Sequence, residues 1–113
     1  MNKDLVAKII KFRDDRNWKQ FHNPKDLALS LVLESTEFLE LFQWKSEDES
    51  RTLIVNNKDE VALELADVYY WLLLISHDFK IDLDSALEDK LKKNAIKYPI
   101  DKSFGVSTKY DKL

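Results

Sequence analysis

The chain has 113 residues, of which 35% are charged and 44% hydrophobic, with no cysteine and a formal net charge of −3 at pH 7. The absence of cysteine excludes disulfides, thiolate catalysis and thiolate metal ligands. The acidic balance argues against a nucleic acid polymer or an anionic membrane as the main partner, since both usually require a basic face. One glycine and two prolines leave little material for hairpins, so we expect one all-α domain over residues 1–113.

Hydrophobic periodicity and capping residues predict four main helices. The first carries Leu5, Ile9 and Phe12 on one apolar face, and the second follows an Asn23 cap. We expect the four helices over residues 3–18, 25–44, 57–79 and, from a cap at Asp82 or Asp84, up to residue 98. A capping-box pattern, Ser46-x-x-Glu49, leaves room for a short helix in 45–57. Asn57 followed by Glu60 repeats this signature and predicts a cap for the third main helix, and residues 103–113 are expected to form an extended tail.

The second helix is apolar on nearly every side, which indicates that it is covered on several faces. A monomeric bundle covers only one or two faces, so the pattern indicates an interface with another chain. Helix 2 alone does not distinguish a second copy of this chain from a foreign chain, although the small size of the protein makes association with copies of itself plausible. The longest apolar run, Val68–Ile75, is far too short to span a bilayer, and the chain opens directly into an amphipathic pattern. We expect a cytoplasmic protein that needs no membrane.

Two carboxylate pairs, Glu34–Glu37 and Glu64–Asp67, interrupt these apolar stretches. Each pair has i, i+3 spacing, which places both carboxylates on one side of a helix, and Glu34 and Glu64 fall in the middle of apolar stripes. If the two stripes pack together, the carboxylates converge, and a shared divalent cation is the simplest way to keep such a cluster ionised. The ligands are hard oxygens, which suit Mg²⁺ with a phosphate-bearing substrate. The ordinary alternative is a set of solvated surface acids.

Other polar and aromatic residues are candidates for contact with a ligand. Asn94 lies inside the apolar stripe of the fourth helix with Lys90 and Lys97 beside it, and its amide needs a partner if buried. The plainer interpretation is an amide bonded to nearby backbone, with solvated lysines. The three tryptophans, Trp18, Trp44 and Trp71, are either core residues or the walls of a slot in which a base stacks.

Segments 12–31, 34–45, 64–68 and 92–99 together resemble the MazG-like nucleotide pyrophosphohydrolases, with the small dCTP pyrophosphatase type as the nearest likeness. The Glu-x-x-Glu and Glu-x-x-Asp pairs carry most of this resemblance. It implies an all-α nucleoside triphosphate pyrophosphatase fold in which four-helix chains assemble as a dimer or a dimer of dimers. It also implies Mg²⁺-dependent hydrolysis, with Mn²⁺ as the alternative ion, of a nucleoside triphosphate such as dCTP to the monophosphate and pyrophosphate, a housecleaning reaction.

The resemblance assigns roles to residues by position. It implies metal ligation by Glu34, Glu37, Glu64 and Asp67, and a base pocket lined by Trp18, Trp44 and Trp71. The expected substrate-side residues are Lys90, Asn94, Lys97, Tyr98, Lys109 and Tyr110. Either Glu37 or Glu40 is expected to orient or deprotonate the attacking water, and the sequence does not choose between them. The chain departs from the usual pattern of this family at Ile9, Leu33, Thr36 and Trp71. These departures leave its base preference open.

Two alternatives remain open at this point. The first is the same reaction on another nucleotide, such as dUTP or an oxidised nucleotide. The second is a non-catalytic helical adaptor or metal-binding module, which would release no pyrophosphate from any nucleotide.

Overall fold

The computed structural model describes all residues, 1–113, and consists of helices and turns with no β-strand. The α-helices are α1 (Lys3–Asp15), α2 (Pro24–Glu40), α3 (Glu47–Asn56), α4 (Lys58–Phe79), α5 (Leu83–Lys97) and α6 (Ile100–Ser103). The all-α expectation is confirmed, with six α-helices instead of four. The four predicted main helices correspond to α1, α2, α4 and α5, while their assembly as a four-helix bundle stays a prediction.

The chain divides into two compact units, Asn2–Lys80 with α1–α4 and Ile81–Leu113 with α5 and α6, the latter including Met1. The single domain expected over residues 1–113 therefore stays a prediction. Within the first unit α4 is the central helix, and it packs against α2, α1 and α3. The buried apolar residues are Leu27 of α2 and Val61, Leu73 and Leu74 of α4.

The first two main helices end earlier than predicted, and each end has a local cause. α1 stops at Asp15 because Asn17 adopts a left-handed backbone (φ 54°). The N–H groups of Asn17 and Trp18 donate to the carbonyls of Asp14 and Arg13 at 3.0 and 3.1 Å. This is the Schellman pattern, in which left-handed geometry just past the helix satisfies its last carbonyls. α2 stops at Glu40 instead of Trp44, and Trp44 itself has a positive φ of 66°.

Most of the capping predictions hold. Ser46 accepts from the N–H of Glu49 while the Glu49 carboxylate accepts from the N–H of Ser46, so the capping box and the short α3 are confirmed. Asn23 caps α2, and of the two candidates for α5 it is Asp82 that caps. Asn57 stands at the start of α4, but its side chain makes no capping bond, so that part of the prediction was wrong.

Apolar side chains of α2 remain exposed in the single chain, including Leu29, Val32, Leu33 and Leu39. This is the face for which the sequence predicted cover by a second copy, and that interface stays a prediction. No helix combines the length and the apolar character that crossing a bilayer requires. The predicted extended tail begins at the last residue of α6 and contains one 3₁₀ turn, Tyr110–Lys112.

Candidate functional site

Four carboxylates from α2 and α4 lie together, and we call them the acidic cluster: Glu34, Glu37, Glu64 and Asp67. Each contributes one oxygen to a group in which all four oxygens lie within 4.8 Å of one another. The i, i+3 spacing on each helix puts the two members of a pair on one side, and packing of α2 against α4 brings the pairs together. Such a separation allows one cation to contact oxygens from both helices.

Burial within the acidic cluster is uneven. Glu34 and Glu64 are half-buried, whereas Glu37 and Asp67 are exposed. The Oε2 atoms of Glu34 and Glu64 are buried and have no hydrogen-bond partner in the protein. A buried carboxylate oxygen without a donor is unfavourable. Since no protein donor contacts these two oxygens, a bound cation would supply the missing favourable interaction.

The electrostatics of the acidic cluster agree with its geometry. Burial and the neighbouring carboxylates of Glu37, Asp67 and Glu64 raise the pKa of Glu34 from 4.5 to about 6. Burial and the charges of Glu37, Asp67, Glu60 and Glu40 likewise raise the pKa of Glu64. Both shifts have the same origin, which is removal from water beside like charges. A bound divalent cation would reverse them.

A cavity of about 500 Å³ adjoins the acidic cluster. Glu34 and Asp67 belong both to the cluster and to the cavity wall. The rest of the wall is mostly apolar and aromatic, formed by Leu5, Lys8, Ile9, Phe12, Trp18, Tyr70 and Trp71. Carboxylates at one end and aromatic rings along the sides suit a ligand with a charged part and a flat apolar part.

The aromatic rings in and around the cavity contact one another edge to face. Phe12 lies 5.7 Å from Trp18 and 6.4 Å from Tyr70, measured between ring centroids. Tyr70 lies 5.2 Å from Trp71, whose other neighbour is the His22 ring at 5.5 Å. Since edge-to-face pairs hold rings in defined orientations, these contacts orient the aromatic rings that line the cavity.

Two residues predicted for the site stand apart from these groups. Trp44 is 93% exposed and is not in the cavity wall, unlike Trp18 and Trp71. Glu40, the last residue of α2, is exposed and lies outside the acidic cluster, although its charge contributes to the raised pKa of Glu64. The roles expected of Trp44 and Glu40 stay predictions.

The expected substrate-side residues Lys90, Asn94, Lys97, Tyr98, Lys109 and Tyr110 all belong to the second unit. There the tail returns to the end of α5, where the Tyr110 ring lies 6.1 Å from the Tyr98 ring. The Lys97 Nζ lies 4.7 Å from the centroid of the Tyr110 ring. Asn94 is half-buried, while Lys90 and Lys109 are exposed. Three of the six, Lys97, Tyr98 and Tyr110, are thus in mutual reach.

Some residues of the cavity wall were not recognised from the sequence. The sequence places Leu5 and Phe12 only on the apolar face of the first helix, and it gives Lys8 and Tyr70 no role. Ile9 is on the same apolar face and is otherwise named only as a departure from the family pattern. A usable signal exists for Lys8, which is spaced i, i+4 from Phe12 and so shares its side of α1. For Tyr70, the adjacent Trp71 was the available signal, because two successive aromatic residues on one helix widen the surface that it presents.

Comparisons with known proteins agree with these features. The family model described as MazG-like matches residues 29–113. The chain is 39% identical to dCTP pyrophosphatase 1 of Rattus norvegicus and 36% identical to dCTP pyrophosphatase 1 of Homo sapiens, over 112 residues in both cases. These alignments cover 97% of this chain and 66% of each relative, so the chain spans just under two thirds of their length.

A solved structure described as a pyrophosphatase from Archaeoglobus fulgidus has a similar fold. It superposes with a TM-score of 0.82 at 40% sequence identity, covering 86% of this chain and 91% of that one. The similarity thus extends over nearly all of the solved chain.

Proposed function

The chain belongs to the MazG-like family, and from this premise we propose that it is a divalent-metal-dependent nucleoside triphosphate pyrophosphohydrolase. The substrate is a deoxynucleoside triphosphate such as dCTP, and the products are the monophosphate and pyrophosphate. The support from relatives is the similarity to dCTP pyrophosphatase 1 of two mammals and to an archaeal pyrophosphatase.

One observation carries the proposal: the acidic cluster shares Glu34 and Asp67 with an aromatic-walled cavity. A nucleotide has the same division, with anionic phosphates at one end and a flat base at the other. The base stacks between aromatic rings, since every base offers a π-face. The phosphates then lie near the carboxylates. Because both groups are negatively charged, a cation has to be bound between them.

The donor set fits a hard divalent cation. All ligands are carboxylate oxygens, two of them buried without partners, and one oxygen from each residue falls within 4.8 Å of the others. Glu34, Glu37, Glu64 and Asp67 would hold the ion, and Mg²⁺, with Mn²⁺ as a substitute, prefers such ligands. When bound, the ion supplies charge neutralisation for the phosphates at the bond that breaks.

The side chains of this chain do the remaining work. Water must attack the α phosphorus in line with the departing pyrophosphate, and a carboxylate has to accept the proton of that water. Glu37 and Glu40 are the two candidates for this base. Glu37 already belongs to the acidic cluster, whereas Glu40 lies outside it and within electrostatic range of Glu64. We therefore assign the proton-accepting role to Glu40 and ligation to Glu37.

The base-binding role goes to Trp18 and Trp71, which line the cavity, and Tyr70 extends the same wall. The substrate-side role expected of the residues of α5 and the tail, with Lys90, Lys97 and Lys109 as point charges for phosphate, stays a prediction of the sequence. Trp44 is 93% exposed in the single chain, so its role requires a second copy. Self-association as a dimer or dimer of dimers, through the exposed apolar face of α2, is part of the proposal.

The test is a turnover screen across nucleoside triphosphates, read by pyrophosphate release with Mg²⁺, with Mn²⁺ and after chelation. We expect release from at least one deoxynucleoside triphosphate, and none in the chelated samples. A purified, folded protein that releases no pyrophosphate from any nucleotide in Mg²⁺ or Mn²⁺ would refute the proposal. Light scattering on the same sample measures the assembly, for which a monomer would contradict the predicted interface.

A further inference from the structure

A buried ion pair joins the ends of α1 and α4 and has no role in the chemistry proposed so far. Nη1 of Arg13 donates to Oδ2 of Asp78 at 2.6 Å. Arg13 is only 1% exposed, which is rare for an arginine, and the Asp78 side chain is 16% exposed. His77 completes the group by contacting Oδ1 of Asp78 at 3.1 Å.

The backbone of Arg13 also holds Trp18. The Arg13 carbonyl accepts the N–H of Trp18 at 3.1 Å as part of the Schellman pattern that closes α1. The N–H of Asn17 donates to the preceding carbonyl, that of Asp14. One residue therefore anchors Trp18 through its backbone and α4 through its side chain.

At the other end of the ion pair, Asp78 lies on α4, the helix that also contributes Trp71 to the cavity wall. Trp71 lies seven residues earlier on α4, two turns away on nearly the same side. The His22 ring packs edge-on against Trp71. The pKa of His22 is lowered, mainly by burial and also by the nearby charge of Arg13. The Arg13–Asp78 pair thus connects the backbone that carries Trp18 with the helix that carries Trp71.

We propose that Arg13 and Asp78 are positioning residues of the nucleotide site, which set the separation of Trp18 and Trp71 and so the fit of the base. This inference rests on the proposed function. Neither residue lines the cavity, so neither contacts the base itself. Their effect is on binding of the base and not on the reaction at the phosphates.

A buried ion pair suits this positioning role better than an apolar contact does. Its gain in stability is small after desolvation, but its geometry is directional, so a shift of α1 along α4 breaks it. Burial acts to raise the pKa of Asp78, yet hydrogen bonds from Arg13 and His77 and their charges outweigh it, so the pKa is lowered overall. The favourable contacts of Asp78 with Arg13 and His77 therefore exceed the cost of its burial.

The test compares Arg13→Met, which removes the charge and keeps a long side chain, with Arg13→Lys, which keeps one charged donor. Arg51→Met is the matched control, because Arg51 donates to Glu47 at the same 2.6 Å in an exposed pair on α3. We expect Arg13→Met to raise KM for dCTP in Mg²⁺ roughly tenfold with kcat within about twofold of wild type. Arg13→Lys should recover most of that loss, and Arg51→Met should match wild type.

A second readout does not depend on turnover. In a Trp44→Phe background, tryptophan emission, excited at a wavelength where tyrosine does not absorb, comes only from Trp18 and Trp71, and acrylamide quenching measures their exposure. We expect stronger quenching in Arg13→Met at a temperature well below its Tm. If Arg13→Met does not fold, Asp78→Asn, which keeps an acceptor for Arg13, takes its place with a smaller change in the same direction.

The outcomes separate the two proposals. Unchanged KM and unchanged quenching in a folded Arg13→Met protein would overturn the positioning role, as would an equal rise of KM in Arg51→Met. A fall in kcat at constant KM would also overturn it, because it would place Arg13 in the chemical step. If wild type releases no pyrophosphate at all, the proposed function fails, and quenching alone decides whether Arg13 positions the two tryptophans.

Discussion

Glu34 of α2 and Glu64 of α4 each bury an Oε2 atom that no donor in the protein reaches, and the two side chains have oxygens within 4.8 Å of each other. Two carboxylates so placed repel each other as long as both are ionised. Both residues lie within helices that pack against each other, α2 and α4. The folded protein therefore holds two neighbouring carboxylates whose repulsion a bound cation would offset.

Replacing either carboxylate by glutamine separates stability from activity. Glu34→Gln and Glu64→Gln remove one negative charge and keep nearly the same shape. We expect turnover in Mg²⁺ to fall by roughly 100-fold or more, because a ligand is lost. In chelated samples at neutral pH we expect the Tm to rise, because like-charge repulsion is removed. Pyrophosphate release and thermal unfolding followed by circular dichroism measure the two effects.

Glu88→Gln is the control for this pair, since Glu88 is an exposed glutamate on α5 outside the acidic cluster. It should leave turnover and Tm at wild-type values. Full activity in Glu34→Gln or Glu64→Gln would contradict the assignment of the cluster as the metal site.

The stability of the metal-free protein should depend on pH through Glu34. Its folded pKa of about 6 lies above the ordinary value of 4.5, so the folded state binds more protons than the unfolded state between these limits. Stability therefore falls as pH rises from about 4.5 to about 6. The raised pKa of Glu64 acts in the same direction, while the lowered pKa of His22 opposes it as pH approaches 6.5.

Comparison with Glu34→Gln isolates this contribution, because His22 is common to both proteins. In chelated buffers, we expect the Tm difference between Glu34→Gln and wild type to grow as pH rises from 4.5 to 6. Saturating divalent cation at pH 7 should remove most of the wild-type deficit. A Tm difference that is constant over this pH range would show that Glu34 titrates normally.

The arrangement of the acidic cluster follows from helix geometry, and this is why the sequence predicts it. Spacing of i, i+3 and a mid-stripe position require only that the two helices form and that their apolar stripes pack. The cavity was harder to foresee, because Leu5, Ile9 and Phe12 have the pattern of an ordinary core face. Packing across several helices decides which apolar residues line a cavity and which fill the core. A local sequence pattern does not contain this information.

The ends of α1 and α2 show a second limit. Helix periodicity continues past Asp15 to Trp18, but the left-handed backbone at Asn17 ends the helix. Glycine is the usual residue there, and an asparagine gives a weaker signal. The ion pair of Arg13 and Asp78 was likewise hidden, since both residues look like solvated charges in a linear sequence and are 65 positions apart.

Separate replacements of Glu37 and Glu40 should distinguish ligand from base. Glu37→Gln removes a member of the acidic cluster, so we expect a higher Mg²⁺ concentration for half-maximal rate. Glu40→Gln removes the proposed proton acceptor, so we expect kcat to fall by roughly 10²–10⁴-fold with the Mg²⁺ requirement little changed. Rates measured over a Mg²⁺ titration give both quantities. The reverse pattern would exchange the two roles, and an unaffected kcat in both variants would exclude each as the base.

The tryptophans should divide into two classes when each is changed to leucine. Trp18 and Trp71 line the cavity, and stacking on a base contributes roughly 1–3 kcal/mol, so Trp18→Leu and Trp71→Leu should raise KM by about 5- to 150-fold with smaller effects on kcat. Trp44 is exposed in the single chain, so Trp44→Leu should affect KM only in the assembled protein. Kinetics with dCTP, and light scattering across a dilution series, measure both. Equal effects of all three replacements in a demonstrably monomeric sample would contradict a slot built by Trp18 and Trp71 within one chain.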